Sequence, residues 1–410
     1  MKRERLVAGL DLGSSKTCAV IAEAQGSARN PGAKVLGVGI SRTAGVKRGV
    51  VTDIEEATRS ASQAMKDAER MAGVTVPTVY CGIAGEHVKT RISPGLASVA
   101  SEEISRADVD RVDEVARRVS LGDNYELLHH IPQEYKVDNQ GGISDPVGMA
   151  GLRLEVEMCL VAVQNKAAQN VRKLVQRAGY RVTKLVLEPL AASLAAVTQD
   201  ERELGCALVE LGGGSTTVSI LHDGKLKHLA SLPFAGSHVT SDMVQGLGVT
   251  QSDAERIKER WGVAYSPLVD PAEMVDLPGT PGQGPRQVKR ELLAHIIHQR
   301  LDEILGLVLD QIEQAGFRGR LPAGAILTGG GAQLTGVIEL AREVFAMPVR
   351  KGIPEQGVTG LVDSVQAPRY AVPVGLALYG SREIVRGRAD GGPGVDRLFK
   401  PVKRWLQDFF

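Results

Sequence analysis

The sequence predicts an α/β protein in which one fold occurs twice around a cleft, with an inserted α+β body and a C-terminal amphipathic helix. Three observations predict it. Two stretches half the chain apart share one pattern, Leu10-Asp11-Leu12-Gly13-Ser14-Ser15-Lys16-Thr17 and Val209-Glu210-Leu211-Gly212-Gly213-Gly214-Ser215-Thr216. Each is an apolar strand ending in an acid, a turn of small residues, then a second apolar strand. A third glycine turn, Thr328-Gly329-Gly330-Gly331, follows another apolar strand and opens a helix. Residues 395–410 sort apolar and basic side chains onto opposite faces.

A turn of small residues lets backbone N–H groups crowd an anion, and hydroxyls add donors. An acid at the strand end suits a hydrated Mg²⁺, which prefers carboxylate and phosphate oxygens. Two such hairpins in register read as a clamp gripping one polyphosphate from both sides. A Walker A loop is excluded because Ser15 precedes Lys16 and residues 18–22 read as a strand. A dinucleotide fingerprint fails because Thr217 stands where the third glycine belongs.

The elements follow in order. Residues 35–40 and 50–53 bracket a basic, glycine-rich turn. Residues 54–72 have helical periodicity and stop at Gly73. Residues 79–84 read as a buried strand. From 86 to 164 come a strand-like HVKTRI, a polar helix (106–119), a loop-rich section through Pro132, Gly141 and Pro146, and an alternating strand (152–162). A helix (166–178), a strand (182–187) and a helix opening at Glu188-Pro189 lead to the second hairpin. Beyond it lie a helix with Glu255 and Lys258, a mobile Pro/Gly-rich loop (262–285), a long amphipathic helix (286–315), the third turn and a last helix (374–385).

Composition narrows the class. The 410 residues are 43% hydrophobic and 24% charged, an ordinary globular balance. A net charge of +1 excludes a globally basic nucleic-acid binder, and 4% aromatics leave little for base stacking. Cys18, Cys81, Cys159 and Cys206 sit in apolar runs without CxxC spacing, as expected of buried thiols in a reducing cytosol. MKRERL is followed by a strand, so no signal peptide is expected, and no run is long enough to cross a bilayer. His295 and His298 lack a third ligand at suitable spacing and read as packing residues. His129-His130 shows no site logic.

The order of these elements resembles the actin, Hsp70 and sugar-kinase superfamily. Its two phosphate hairpins match residues 9–21 and 207–220, its adenosine motif matches 326–340, and LVLEPLAASLA matches its connecting helix. Within it, FAGSHVTSDM, SDAERIKERWG, ILTGGGAQLTGVIELA and the C-terminal tail resemble the bacterial cell-division FtsA family over essentially the full length. The resemblance implies actin-like, duplicated ribonuclease-H-like domains around a nucleotide cleft. The first would comprise 1–85, 165–204 and 365–385, with an inserted subdomain at 86–164. The second would comprise 205–240 and 321–364, with a further subdomain at 241–320.

It further implies ATP and Mg²⁺ as ligands. Asp11 and Glu210 would hold Mg²⁺ through water; Gly13, Ser14, Ser15 and Lys16 would meet the β/γ-phosphates, opposed by Gly212, Gly213, Gly214 and Ser215. Gly236, Glu255 and Lys258 would flank the ribose and adenine, Gly330, Gly331 and Leu334 would border the adenosine, and Glu188 would orient water. The family usually carries Asp where this chain has Glu210, and the extra methylene shifts the carboxylate. The expectation is ATP binding with slow or no turnover.

Residues 386–394 read as a flexible linker. After it, Val395, Leu398, Phe399, Val402, Trp405, Leu406, Phe409 and Phe410 fall within about 140° of a helical wheel. Arg397, Lys400, Lys403 and Arg404 occupy the complementary arc, and Pro401 either opens a shorter helix or kinks a longer one. This pattern predicts an interfacial helix on an anionic membrane, each basic residue contributing roughly 1 kcal/mol. The resemblance implies a peripheral protein on the inner face of the cell membrane at the septum, polymerising with itself, anchoring the FtsZ ring through the FtsZ C-terminal tail and recruiting other division proteins. Arg286, Lys289, Arg290 and Arg300 are the candidate contacts for that tail. The alternatives are an actin-like pilus-assembly ATPase, which lacks such a tail, and a sugar or acetate kinase, which needs a catalytic acid that no motif announces.

Overall fold

The computed structural model describes residues 5–27, 30–279 and 284–389, so the expected amphipathic helix lies outside the described residues. The chain opens with β1 (Leu6–Leu12), β2 (Lys16–Gly26), β3 (Pro31–Arg42), the short pair β4 (Val46–Lys47) and β5 (Val50–Val51), α1 (Ile54–Ala72) and β6 (Thr78–Ile83). Local chemistry sets α1 at both ends. The Asp53 carboxylate accepts the N–H groups of Glu55 and Glu56, and Gly73 takes the left-handed conformation (φ 66°) that stops the helix.

The inserted body follows: β7 (Val88–Ser98), α2 (Arg106–Arg117), β8 (Tyr125–Val137), β9 (Gln140–Ile143) and β10 (Arg153–Gln164). The first body then resumes with α3 (Asn165–Arg177), β11 (Arg181–Leu187) and α4 (Glu188–Ala196), and α5 (Gln199–Leu204) leads onward. The second body holds β12 (Cys206–Leu211), β13 (Thr216–His222), β14 (Lys225–Leu232), α6 (Gly236–Leu247), α7 (Gln251–Trp261), β15 (Met274–Leu277), β16 (Arg286–Lys289), α8 (Arg290–Gln314), β17 (Ala325–Thr328), α9 (Val337–Phe345) and β18 (Val349–Lys351). Finally β19 (Val358–Gly360) and α10 (Ala371–Ala389) return to the first body.

The duplication is explicit in the sheets. The first runs β11-β6-β1-β2-β3-β19 and the second β14-β13-β12-β17-β18. Reversed, the second matches β11 to β3 strand for strand, with the hairpin strands antiparallel and the next two parallel. The turns align as well: Leu12 faces Thr17 in one hairpin and Leu211 faces Thr216 in the other. Between the sheets α4 and α10 cross so closely that a Cβ at Gly375 would lie 1.8 Å from the Ala191 carbonyl oxygen. All four cysteines are buried and free.

Three readings need correction. Pro132 does not mark a loop but lies inside β8. The pairing with β10 jumps from Glu157–Glu134 to Met158–Pro132, which leaves Gln133 as an extra residue. Such a bulge tolerates proline, and a one-residue slip turns the strand over. Tyr135 and Val137 therefore enter the insert's own core, while Ile131 enters the core of the first body. The helix expected at 286–315 starts at Arg290, because Arg286–Lys289 pairs as β16 with β15 inside what read as one loop. In addition, α10 continues through residue 389, into the stretch read as linker.

Candidate functional site

Both hairpins carry the acid one residue before the end of their first strand, so Asp11 and Glu210 arrive at one cleft from opposite sheets. The hairpin tips touch. A Cβ at Gly213 would lie 2.6 Å from the Ser15 Cβ, and one at Gly214 would lie 2.6 Å from the Ser14 Oγ. Only glycine permits that approach. The first tip is braced from behind, since the Gly49 N–H donates to Ser14 Oγ at 3.3 Å and the Thr43 N–H to the Ser15 carbonyl at 3.0 Å. The second is braced by the start of α6, where the Gly236 and Ser237 N–H groups donate to the carbonyls of Gly212 (3.2 Å) and Gly213 (2.8 Å).

Glu188 enters as the third carboxylate, carried at the first turn of α4 and received against Gly82 at the end of β6, where a Cβ would lie 3.1 Å from its Oε1. Desolvation raises the Asp11 carboxyl to about 6, partly offset by the Lys16 ammonium. Desolvation and the Asp11 charge raise Glu210 to about 8, again against Lys16. Glu188 is pushed well above the usual carboxylate range by desolvation, then by Asp11 and Glu210. Lys16 itself is pushed down by desolvation; its ammonium donates to the Arg369 carbonyl and sits 5.3 Å from the centre of the Tyr370 ring.

Three carboxyls raised by burial and by one another thus face one lysine ammonium across the cleft. The Glu210 Oε2 is buried without a hydrogen-bond partner. Among the described residues no three acidic, histidine or cysteine side chains stand close enough to enclose a bare ion. The donor set therefore fits Mg²⁺ held through its water shell and phosphate oxygens.

The remaining expected residues fall around this centre. Lys258 is buried beside the second hairpin, paired with Glu255 at 2.8 Å, and donates to the Gly236 carbonyl (3.1 Å) and Thr240 Oγ1 (2.8 Å). Gly330 has open space where a Cβ would stand, Gly331 packs on Leu211, and Leu334 borders Gly262. Sequence reasoning missed Arg369 and Tyr370, which close the cleft under Lys16 from a segment with no motif, and Thr240, whose hydroxyl bridges Glu255 and Lys258. It also missed His129, a buried ring whose Nε2 accepts the Leu187 N–H at 3.0 Å, one residue before Glu188. His298 likewise serves structure, its Nδ1 accepting the Ser266 N–H at 3.4 Å.

The basic set is largely engaged within the chain. Arg290 pairs with Glu273 at 2.8 Å, Arg300 with Asp242 at 2.5 Å, and Arg286 donates to the Leu247 carbonyl; Lys289 is exposed. Among the described residues, no helix is long and apolar enough to cross a membrane.

Duplicated sheets with facing hairpins define an actin-like α/β protein. Comparison with known proteins agrees. The family described as cell division protein FtsA matches residues 207–375, and the SHS2 domain inserted in FtsA matches 85–162. Cell division protein FtsA of Pseudomonas aeruginosa is 36% identical over 99% of this chain and 98% of its own length. That of Escherichia coli K12 is 37% identical over 99% and 98%, and that of Neisseria meningitidis 34% identical over both full lengths. The PilM–PilN type IV pilus biogenesis complex superposes with a TM-score of 0.64 at 18% identity, covering 92% of this chain and 98% of its own. MreB5 of Spiroplasma citri bound to ADP gives 0.56 at 14%, covering 95% and 100%. These structures share the fold; the sequence relatives fix the family. The chain belongs to the family of cell division protein FtsA, and its role lies in cell division.

Proposed function

We propose that the chain is an ATP-binding, actin-like scaffold that polymerises on the inner face of the cytoplasmic membrane and anchors the FtsZ ring there. The observation that carries the nucleotide reading is the pair of touching glycine hairpins with Asp11, Glu188, Glu210 and Lys16 converging between them. Backbone N–H groups of both tips and the hydroxyls of Ser14, Ser15 and Ser215 would hold the β- and γ-phosphates. Asp11 and Glu210 would hold Mg²⁺ through water, and the ion would neutralise the phosphate charge. Glu255, Lys258 and Gly236 would border the ribose and adenine on one side, Gly330, Gly331 and Leu334 on the other.

Binding outweighs turnover in this reading. A carboxyl held above its usual range, as Glu188 is, keeps its proton and draws poorly on a water's. The FtsZ tail would dock on the 241–320 region, where Lys289 offers an exposed charge. Attachment would come from residues 395–410 acting as an interfacial helix, weak singly and multiplied by polymerisation. Liposome co-sedimentation tests it: the full chain pellets with anionic vesicles, and a Δ395–410 truncation stays in the supernatant. Equal pelleting of the two would remove the membrane role.

A further inference from the structure

The buried His129 lies outside the cleft yet touches its wall. It belongs to β8 of the inserted body, while its hydrogen-bond partner, the Leu187 N–H, ends β11 of the first. β11 is the edge strand of the six-stranded sheet, so N–H groups on its outer side lack a ladder partner. The next residue is Glu188, and α4 begins there without a side-chain cap. His129 thus supplies a side-chain acceptor at the strand-to-helix junction from which a cleft carboxylate projects.

The chain arranges this contact with care. The pairing of β8 with β10 shifts at Leu128, directly before His129, and again at Gln133. The two bulges turn this stretch of β8 toward the first body, and bulges commonly re-aim a side chain in this way. The ring is 2% exposed and packs 6.2 Å from the Tyr379 ring of α10, which stands 5.9 Å from Tyr80 of β6. An imidazole nitrogen that accepts carries no proton, so the ring is neutral with its hydrogen on Nδ1. Burial holds it in that form, helped by the positive charge of Lys184 on β11 and by His130. Lys184 is itself paired with Glu383 of α10 at 3.0 Å.

We propose that His129 is the positioning residue for Glu188: by holding the Leu187 N–H it fixes the junction from which Glu188 reaches the cleft, and so couples the seating of the inserted body to the nucleotide site. The coupling rests on the nucleotide reading above; the hydrogen bond does not. His129 touches no ligand and acts through the backbone.

Two variants separate position from packing. His129→Gln keeps an acceptor, whereas His129→Phe keeps a ring against Tyr379 and has none. Hydrogen exchange at the Leu187 amide is expected to accelerate roughly tenfold or more in His129→Phe and to stay near wild type in His129→Gln, because a buried N–H without a partner is costly. Affinity for a fluorescent ATP analogue with Mg²⁺ should fall about tenfold in the former and return in the latter. In wild-type protein labelled with ¹⁵N-histidine, one imidazole should keep the Nδ1–H tautomer well below the ordinary histidine range, a readout that needs no variant to fold. Unchanged exchange in His129→Phe, equal losses in both variants, or an Nε2–H tautomer would overturn the assignment. A wild-type chain that binds no nucleotide would instead remove the proposed function, with exchange and tautomer still deciding what His129 does.

Discussion

Glu210 carries the tension of the site at the scale of single residues. Its carboxyl sits at about 8 in the folded chain against an ordinary 4.5, so between those values the folded state holds a proton that the unfolded state has released. Stability of the ligand-free protein therefore falls as pH rises through that window, with Asp11, at about 6, adding the same sign over a lower range. Glu210→Gln should raise the ligand-free Tm at pH 8 by roughly 3 °C or more and flatten its pH dependence, while weakening Mg²⁺-dependent nucleotide binding. Thermal melts at pH 5 and pH 8 check this; a variant less stable than wild type at pH 8 would refute it. Both acids were legible in the sequence because strand, acid and small-residue turn occur within eight residues and recur. His129 and Arg369 were not, since each meets the site only through tertiary contact, and a histidine beside another histidine looks like nothing in one dimension.

Among the elements, α4 and α10 matter most. Both run between the bodies, and they cross at Gly375 and Ala191 with backbone against backbone. Gly375→Ala would place a methyl 1.8 Å from a carbonyl oxygen, and α10 is backed on β1, which abuts it at Gly9. The expected cost is about 1–3 kcal/mol or more, read as a lowered urea midpoint; an unchanged midpoint would show the crossing to be looser than drawn. The ends of α1 were readable because Asp53 and Gly73 are local signals. The course of β8 was not, because a proline and a pair of glycines suggest a loop unless the bulged partner strand is already in view. Similarly, the start of α8 was misplaced because β16 exists only by pairing with β15.

The described residues repeat one plan: two sheets of one order, two hairpins of one register, and one insertion interrupting the first copy. That much followed from the repeated motif, which is why the fold class was recoverable from sequence. Membership in the FtsA family places the molecule in cell division. The central claim is narrower, that the facing hairpins hold Mg²⁺-ATP between Asp11 and Glu210. Calorimetric titration of ATP into the full chain, with Mg²⁺ and with EDTA, tests it most directly when repeated on Asp11→Asn. The account predicts binding that needs Mg²⁺ and weakens at least tenfold in the variant, whereas affinity indifferent to both the metal and Asp11 would contradict it.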